Sequence, residues 1–286
     1  MAAKRAHVAG STPSNTIARL RRSPLEAFES VFVEDILKDQ PGSPKTAMQE
    51  LVTTGMSGLD AQLGGGIPRG TTVLLLADPS NALSLFAEQF AAGGLAAGEQ
   101  VFHFVFDRPP AGIAAGIGSL ANEYGGAKGR LTIYDGYTGQ FANTTNGHKE
   151  GIQKIDRKNV FGSVLNQLMA VQPGTPYRLV LDSLSGLTRK NEEEAVDFFR
   201  GVVHLGREMG GVQLVTLVRG LHAPSFETAL KHAAGGVMEM GVERKGFGVY
   251  SYLQVSKLLD VRDPTRLLLF KETEKGLWLE STKRVF

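Results

Sequence analysis

The chain has 286 residues, enough for one large α/β domain with an extension, and its 42% hydrophobic and 21% charged content is ordinary for a soluble globular protein. A net charge of +2 commits it to neither nucleic acid nor membrane, and the lack of any cysteine excludes a disulfide framework, a thiolate zinc site and a cysteine nucleophile. No apolar run approaches the ~18 residues of a membrane span and the first residues carry no apolar signal core, so a cytoplasmic location without membrane contact is expected.

Residues 1–24 hold Lys4, Arg5, Arg19, Arg21 and Arg22 without an acid, among scattered Ser, Thr and Pro. Such a segment is expected to be a flexible basic tail, either solvated or set against nucleic acid or an acidic partner. Leu25, Phe28, Phe32 and Ile36 then recur at helical spacing, with Glu26, Glu29, Glu34 and Asp35 opposite. The spacing predicts a short amphipathic helix able to pack on its own domain or on a neighbour. Gln40-Pro41-Gly42-Ser43-Pro44 reads as a linker. Residues 25–50 thus form a helix and linker ahead of a domain expected to span 51–286.

Within that domain, Thr72 to Ala77 is an apolar run that reads as a buried strand. A short turn, Asp78-Pro79-Ser80-Asn81, leads into a helix with Leu83, Phe86, Ala87 and Phe90 on one face. Strand, tight loop and helix make the scaffold on which backbone N–H groups hold phosphate oxygens. A working loop reads G-x-x-x-x-G-K-[ST], with glycines for the strained backbone and a lysine for the phosphates. Here Ala77, Asp78, Pro79, Ser80, Asn81, Ala82, Leu83 and Ser84 occupy those positions. Alanine replaces both glycines, leucine replaces the lysine, and Asp78 stands where phosphate charge arrives. The scaffold is kept and its charge chemistry is not.

The segment Thr54-Gly55-Met56-Ser57-Gly58-Leu59-Asp60, followed by Gly64-Gly65-Gly66-Ile67-Pro68-Arg69-Gly70, resembles the lead-in to the ATPase domain of the KaiC/RadA branch of the RecA superfamily. There TG-x-x-x-LD runs through GGG-I-P-x-G into the first core strand and the Walker A loop. The spacing matches without a gap as far as Gln89-Phe90, and the likeness continues more weakly to the C-terminus. The resemblance implies an α/β, RecA-like three-layer fold: a mostly parallel central sheet flanked by helices, with an antiparallel C-terminal edge. It also implies Mg-ATP as the ligand of an active member, places Ser80, Asn81, Ala82, Leu83 and Ser84 at nucleotide-binding positions, and puts Ser84 at the metal-binding Ser/Thr position.

Gln100 to Phe106 reads as the second strand, followed by Asp107-Arg108-Pro109-Pro110. The resembled family carries a pair of acids here, the first activating the attacking water. Asp107 is therefore either a surviving base or a loop or cap aspartate, and the paired acid has become Arg108. Ile113, Ile117 and Leu120 mark a helix from Pro110, weakened by Gly112 and Gly116. Leu131 to Asp135 reads as a short strand, and residues 136–150 as a polar loop, either surface irregularity or a site of specific function. Asn143-Thr144-Thr145 fits a glycosylation sequon that a cytoplasmic chain would not use. Val160, Val164, Leu165 and Leu168 give the following helix its buried face.

Tyr177 to Asp182 is an apolar strand ending in a carboxylate, the Walker B pattern in which the aspartate holds the Mg-bound water. Ser183 and Ser185 follow as in the D-S-L-[ST] motif of the resembled family. Asn191 before Glu192, Glu193 and Glu194 opens a helix with a cap and acids against the positive dipole end. Val196, Phe199, Val203 and Leu205 form its core face, and His204 reads as a packed or surface histidine. Gly211 to Val218 is the next expected parallel strand, and the alternation predicts right-handed crossovers. Beyond His232, short strands are expected at 235–240, 247–256, 267–270 and 276–280. The resembled family carries K-x-R-G there, whose basic residues reach a neighbouring subunit's nucleotide. Lys257-Leu258-Leu259-Asp260 keeps the lysine, as an inter-subunit candidate or a solvated strand residue, and loses the arginine.

Losing one charge contact to a triphosphate costs about 10²–10³ in rate, and here the lysine, both glycines and the second acid are absent together. The first expectation is a catalytically degenerate KaiC-like protein without a cofactor, a structural or regulatory subunit that self-associates or joins an active RecA-like paralogue. One alternative is a weak Mg-dependent ATPase using Ser84, Asp182 and Asp107. Another is nucleic-acid binding through the basic tail, Arg189-Lys190 and the basic residues at 244–245 and 262–266.

Overall fold

A run that is apolar on both alternating faces can only be a central strand with cover on each side, and Thr72–Ala77 is buried along its whole length. The computed structural model describes residues 50–138, 151–156, 158–188, 191–246, 248–259 and 266–279. The basic tail, the amphipathic segment, most of the 136–150 loop, Arg189-Lys190 and Arg262 lie outside the described residues.

A short antiparallel pair, β1 (Leu51–Val52) and β2 (Ile67–Pro68), brackets helix α1 (Ser57–Gln62). Then come β3 (Thr72–Ala77), α2 (Asn81–Ala96), β4 (Gln100–Val105), α3 (Pro110–Glu123), β5 (Arg130–Asp135) and β6 (Ile152–Lys154). The second half holds α4 (Val160–Met169), β7 (Tyr177–Asp182), α5 (Leu184–Leu187), α6 (Glu192–Met209), β8 (Val212–Val218) and α7 (Pro224–Ala233). Four strands close the chain: β9 (Gly236–Lys245), β10 (Gly248–Leu258), β11 (Arg266–Thr273) and β12 (Gly276–Leu279).

Among the described residues one sheet of ten strands runs β12-β11-β10-β9-β3-β8-β7-β4-β5-β6. The pairs from β9 through β3, β8, β7, β4 and β5 to β6 are parallel, and β10, β11 and β12 add antiparallel pairs at one edge. The mostly parallel α/β sheet with its antiparallel edge is the arrangement expected from the motifs. The connection leaving β3 runs one way to β4, and the one leaving β8 runs the other way to β9. A crevice at such a divergence, outside the carboxyl ends of the strands, is where an open α/β sheet places its ligands. No helix among the described residues is long and apolar enough to cross a membrane.

The lead-in motif is explained by packing. The Asp60 carboxylate accepts the Thr54 N–H and the Thr54 hydroxyl, each at 2.7 Å, and the Thr53 hydroxyl as well. Gly55 has φ 82°, and a Cβ there would lie 2.5 Å from the Gln89 carbonyl oxygen. Gln89 in turn accepts the Leu277 N–H at 2.7 Å, tying the motif to β12. Helix α3 forms from Pro110 as expected, and Gly116 sits where a Cβ would collide with the Glu88 carboxylate. One feature departs from expectation. The C-terminal strands are longer than their apolar cores, since β9 and β10 pair out to Lys245 and Gly248 with one irregularity between Val255 and Lys257.

One buried charge was hidden in the sequence. Arg178, inside β7, is fully buried; its Nε donates to Glu99, its Nη1 donates to the Phe90 carbonyl at 2.8 Å, and its guanidinium lies 4.7 Å over the Phe90 ring. Burial pulls Arg178 below the ordinary arginine value and the Glu99 charge opposes it. Removing one partner of such a pair strands the other charge in the core. Glu99→Ala should therefore lose about 3–5 kcal/mol of stability in urea unfolding; a loss below about 1 kcal/mol would contradict this role.

Candidate functional site

The loop between β3 and α2 lies at the crevice. Ser80 is the exposed N-cap of α2 and its side chain makes no capping bond. Asn81 opens the helix. Ala82 and Leu83 are buried in the core, whereas Ser84 is half-buried. Asp78 is exposed and pairs with Arg219 Nη1 at 3.4 Å; Arg219 Nη2 also meets Glu239 at 3.2 Å. Lys231 Nζ joins the same Glu239 at 3.0 Å. A chain of alternating charges thus links the phosphate-loop position to the residue after β8, to Glu239 within β9 and to Lys231 in α7.

Deeper in, β4, β7 and α2 converge on a second charge cluster. Arg108 follows β4 and reaches back, with Nη2 3.0 Å from Asp182 Oδ2 and Nη1 2.9 Å from Glu88 Oε1. Glu88 stands one helical turn beyond Ser84, on the same face of α2. The other Asp182 oxygen accepts the Thr216 hydroxyl at 3.1 Å. His103 is fully buried, and neither ring nitrogen has a hydrogen-bond partner among the described residues. Its Nε2 lies 3.9 Å from Asp182 Oδ2, too far for a hydrogen bond.

Burial pushes Asp182 up, but the His103 ring and the Arg108 guanidinium outweigh it and leave the carboxyl below the ordinary aspartate value. Burial dominates at Glu88 and raises it, with Arg108 the main opposing influence. Asp107, exposed after β4, accepts the Ser183 hydroxyl, and Gly186 leaves room for its carboxylate where a Cβ would collide. Asp107 and Asp182 are therefore brought together at neighbouring strand ends. Lys257 lies apart on β10, where Nζ donates to the Lys231 and His232 carbonyls at 3.2 and 2.9 Å and closes the C-terminal end of α7. Burial, then the Arg207 cation, holds Lys257 below the ordinary lysine value.

Sequence reading found Asp182, Asp107 and Arg108 but missed Glu88, His103, Thr216 and Arg219. Only Glu88 carried a usable signal, its position four residues after Ser84. Among the described residues no group of three His, Asp or Glu side chains is placed to hold a metal ion.

Asp182, held below its unfolded value of 3.8, contributes stability that is complete above that value and is lost as pH falls through the folded one. Glu88, held above 4.5, works in the opposite sense and costs stability where it is ionised. Arg108 is 35% exposed, so its pairing is partly screened by solvent. Arg108→Met should lower unfolding free energy by about 1–3 kcal/mol at neutral pH. The deficit should shrink as both carboxyls protonate; denaturation at several pH values checks it, and a pH-independent deficit would contradict the bridge.

The family described as ATPase: KaiC matches residues 52–283. UPF0273 protein MK0039 of Methanopyrus kandleri is 25% identical over 245 residues, spanning 82% of this chain and 93% of that protein. A UPF0273 protein of Thermotoga maritima is 24% identical over 243 residues, spanning 80% and 96%. The solved KaiC-like protein PH0186 of Pyrococcus horikoshii shares the fold with a TM-score of 0.60 at 19% identity, over 81% of this chain and 99% of that one. With that match across the sheet and its flanking helices, the chain belongs to the KaiC family of RecA-superfamily P-loop ATPases.

Proposed function

We propose that this KaiC-family protein does not hydrolyse nucleotide and serves as a structural or regulatory subunit, self-associating or joined to an active RecA-like paralogue in the cytoplasm. One observation carries the reading: the Arg108 guanidinium already sits on Asp182 and Glu88, where Mg²⁺ would need a free carboxylate. Both Asp182 oxygens are engaged, one by Arg108 and one by Thr216. Leu83 is buried at the lysine position and Asp78 presents an anion to any arriving phosphate. The loop is thus degenerate in chemistry as well as in spelling, and the residues present do not fit Mg-ATP.

A weak ATPase built from Ser84, Asp182 and Asp107 would require Arg108 to leave two carboxylates, and Asp107 to give up the Ser183 hydroxyl. Nothing at the site favours that exchange. Nucleic-acid binding rests on the basic tail, Arg189-Lys190 and the basic residues at 244–245 and 262–266, of which only Arg244 and Lys245 at the end of β9 and Arg266 at the start of β11 fall among the described residues.

Calorimetric titration with Mg-ATP, run beside a phosphate-release assay, tests the reading. The expected result is no binding tighter than ~1 mM and no turnover above buffer. Micromolar affinity would overturn it. Light scattering without nucleotide should give a particle larger than one chain, or one that forms on adding an active paralogue. A persistent monomer in both conditions would remove the subunit role.

A further inference from the structure

A further constellation lies beside Asp107, which lines the same cavity. The Ser185 hydroxyl, in α5, accepts the Val218 N–H at 3.0 Å, and His222 Nε2 lies 3.0 Å from the same oxygen. His222 Nδ1 is 3.4 Å from Glu192 Oε1, and that carboxylate is steadied by the Ala223 N–H at 3.2 Å. The imidazole packs against the Phe226 ring at a centroid distance of 5.0 Å, which limits its rotation. Ser185 in α5 and Glu192 in the first turn of α6 lie close in sequence, and the loop after β8 brings His222 to them.

Glu192 Oε1 lies 3.4 Å from His222 Nδ1, and its negative charge favours the imidazole proton on that nitrogen, with Nε2 as the acceptor. The Ser185 oxygen accepts the Val218 N–H, and its own O–H is free to point at Nε2, 3.0 Å away. Nucleophile, base and orienting carboxylate then stand in the order that activates a serine. All three line a cavity of about 790 Å³, with Val218 and Leu221 supplying apolar wall. Neither Asp182 nor the loop at 78–84 takes part.

We propose that Ser185 is a nucleophile with His222 as its base and Glu192 as its positioning residue, and that the cavity accepts a small carboxylic ester with an apolar acyl group. Ser185 Oγ bonds to the carbonyl carbon while its proton passes to His222 Nε2. The ester C–O bond breaks and the leaving alkoxide takes that proton and departs as the alcohol. Water then attacks the acyl-serine with His222 accepting its proton. The acid leaves, and the serine oxygen recovers the proton from His222.

The test uses the full chain and an alkyl fluorophosphonate, in which an Oγ–P bond forms, fluoride leaves and His222 takes the serine proton. The expected result is one adduct per chain by intact mass, mapped to Ser185, together with p-nitrophenyl butyrate hydrolysis that the reagent abolishes. His222→Gln should slow labelling by ~10²-fold or more, the scale of a general base. Ser185→Ala removes the Val218 contact and can disturb folding, so Glu192→Gln is the second variant. It should lower kcat for the ester with KM and the urea midpoint unchanged. No adduct at Ser185 on folded protein, or equal labelling of the His222→Gln variant, would overturn the proposal.

Discussion

Two carboxylates with little access to water share one guanidinium at the carboxyl ends of β4 and β7. Asp182 ends β7, Glu88 projects from α2, and Arg108 leaves β4 to sit between them at 3.0 and 2.9 Å. Without that cation, each acid would raise the cost of ionising the other, and both would carry an unrelieved desolvation penalty. The bridge therefore couples the ends of β4 and β7 to the helix that follows the phosphate-loop position. In the proposed reading, this internal cation stands where an exchangeable metal would need a free carboxylate.

The same self-sufficiency extends outward. Asp78 is met by Arg219, Arg219 by Glu239, and Glu239 by Lys231. Lys257 spends its donors on the last carbonyls of α7, a favourable place for a cation at the negative end of a helix. In each case a charge at the strand ends finds its counterpart inside the chain. On the proposed reading, a polyanion arriving here would have to break contacts already made. The fold persists because its stability comes from elsewhere: the doubly covered strands, the Gln89 link to β12 and the Arg178–Glu99 pair in the core.

The strands were legible because a parallel sheet covered on both faces demands continuous apolar runs, as at Thr72–Ala77 and Leu179–Leu181. The acid at the end of β7 was legible from its position alone. The partners of charges were not. Arg108 and Asp182 are 74 positions apart, and Arg178 and Glu99 are 79 apart, so only the crossovers bring them together. Gly116 read as a weak point in α3 because its neighbour Glu88 lies on another helix. Helix α7 was overlooked although Pro224 at its first turn and the buried Phe226 and Leu230 at i and i+4 were present in the sequence. Ser185 and Glu192 are close in sequence, but His222, 37 positions from Ser185, is brought to them only by the crossover through β8.

A paramagnetic titration tests the central bridge most directly. Mn²⁺, followed by electron spin resonance, should keep its free-ion spectrum in the presence of the native chain through the millimolar range. The Arg108→Ala variant should gain a bound component that a further Asp182→Asn change removes. Binding of Mn²⁺ by the native chain, as tight as in the variant and dependent on Asp182, would contradict the claim that Arg108 holds the metal's place.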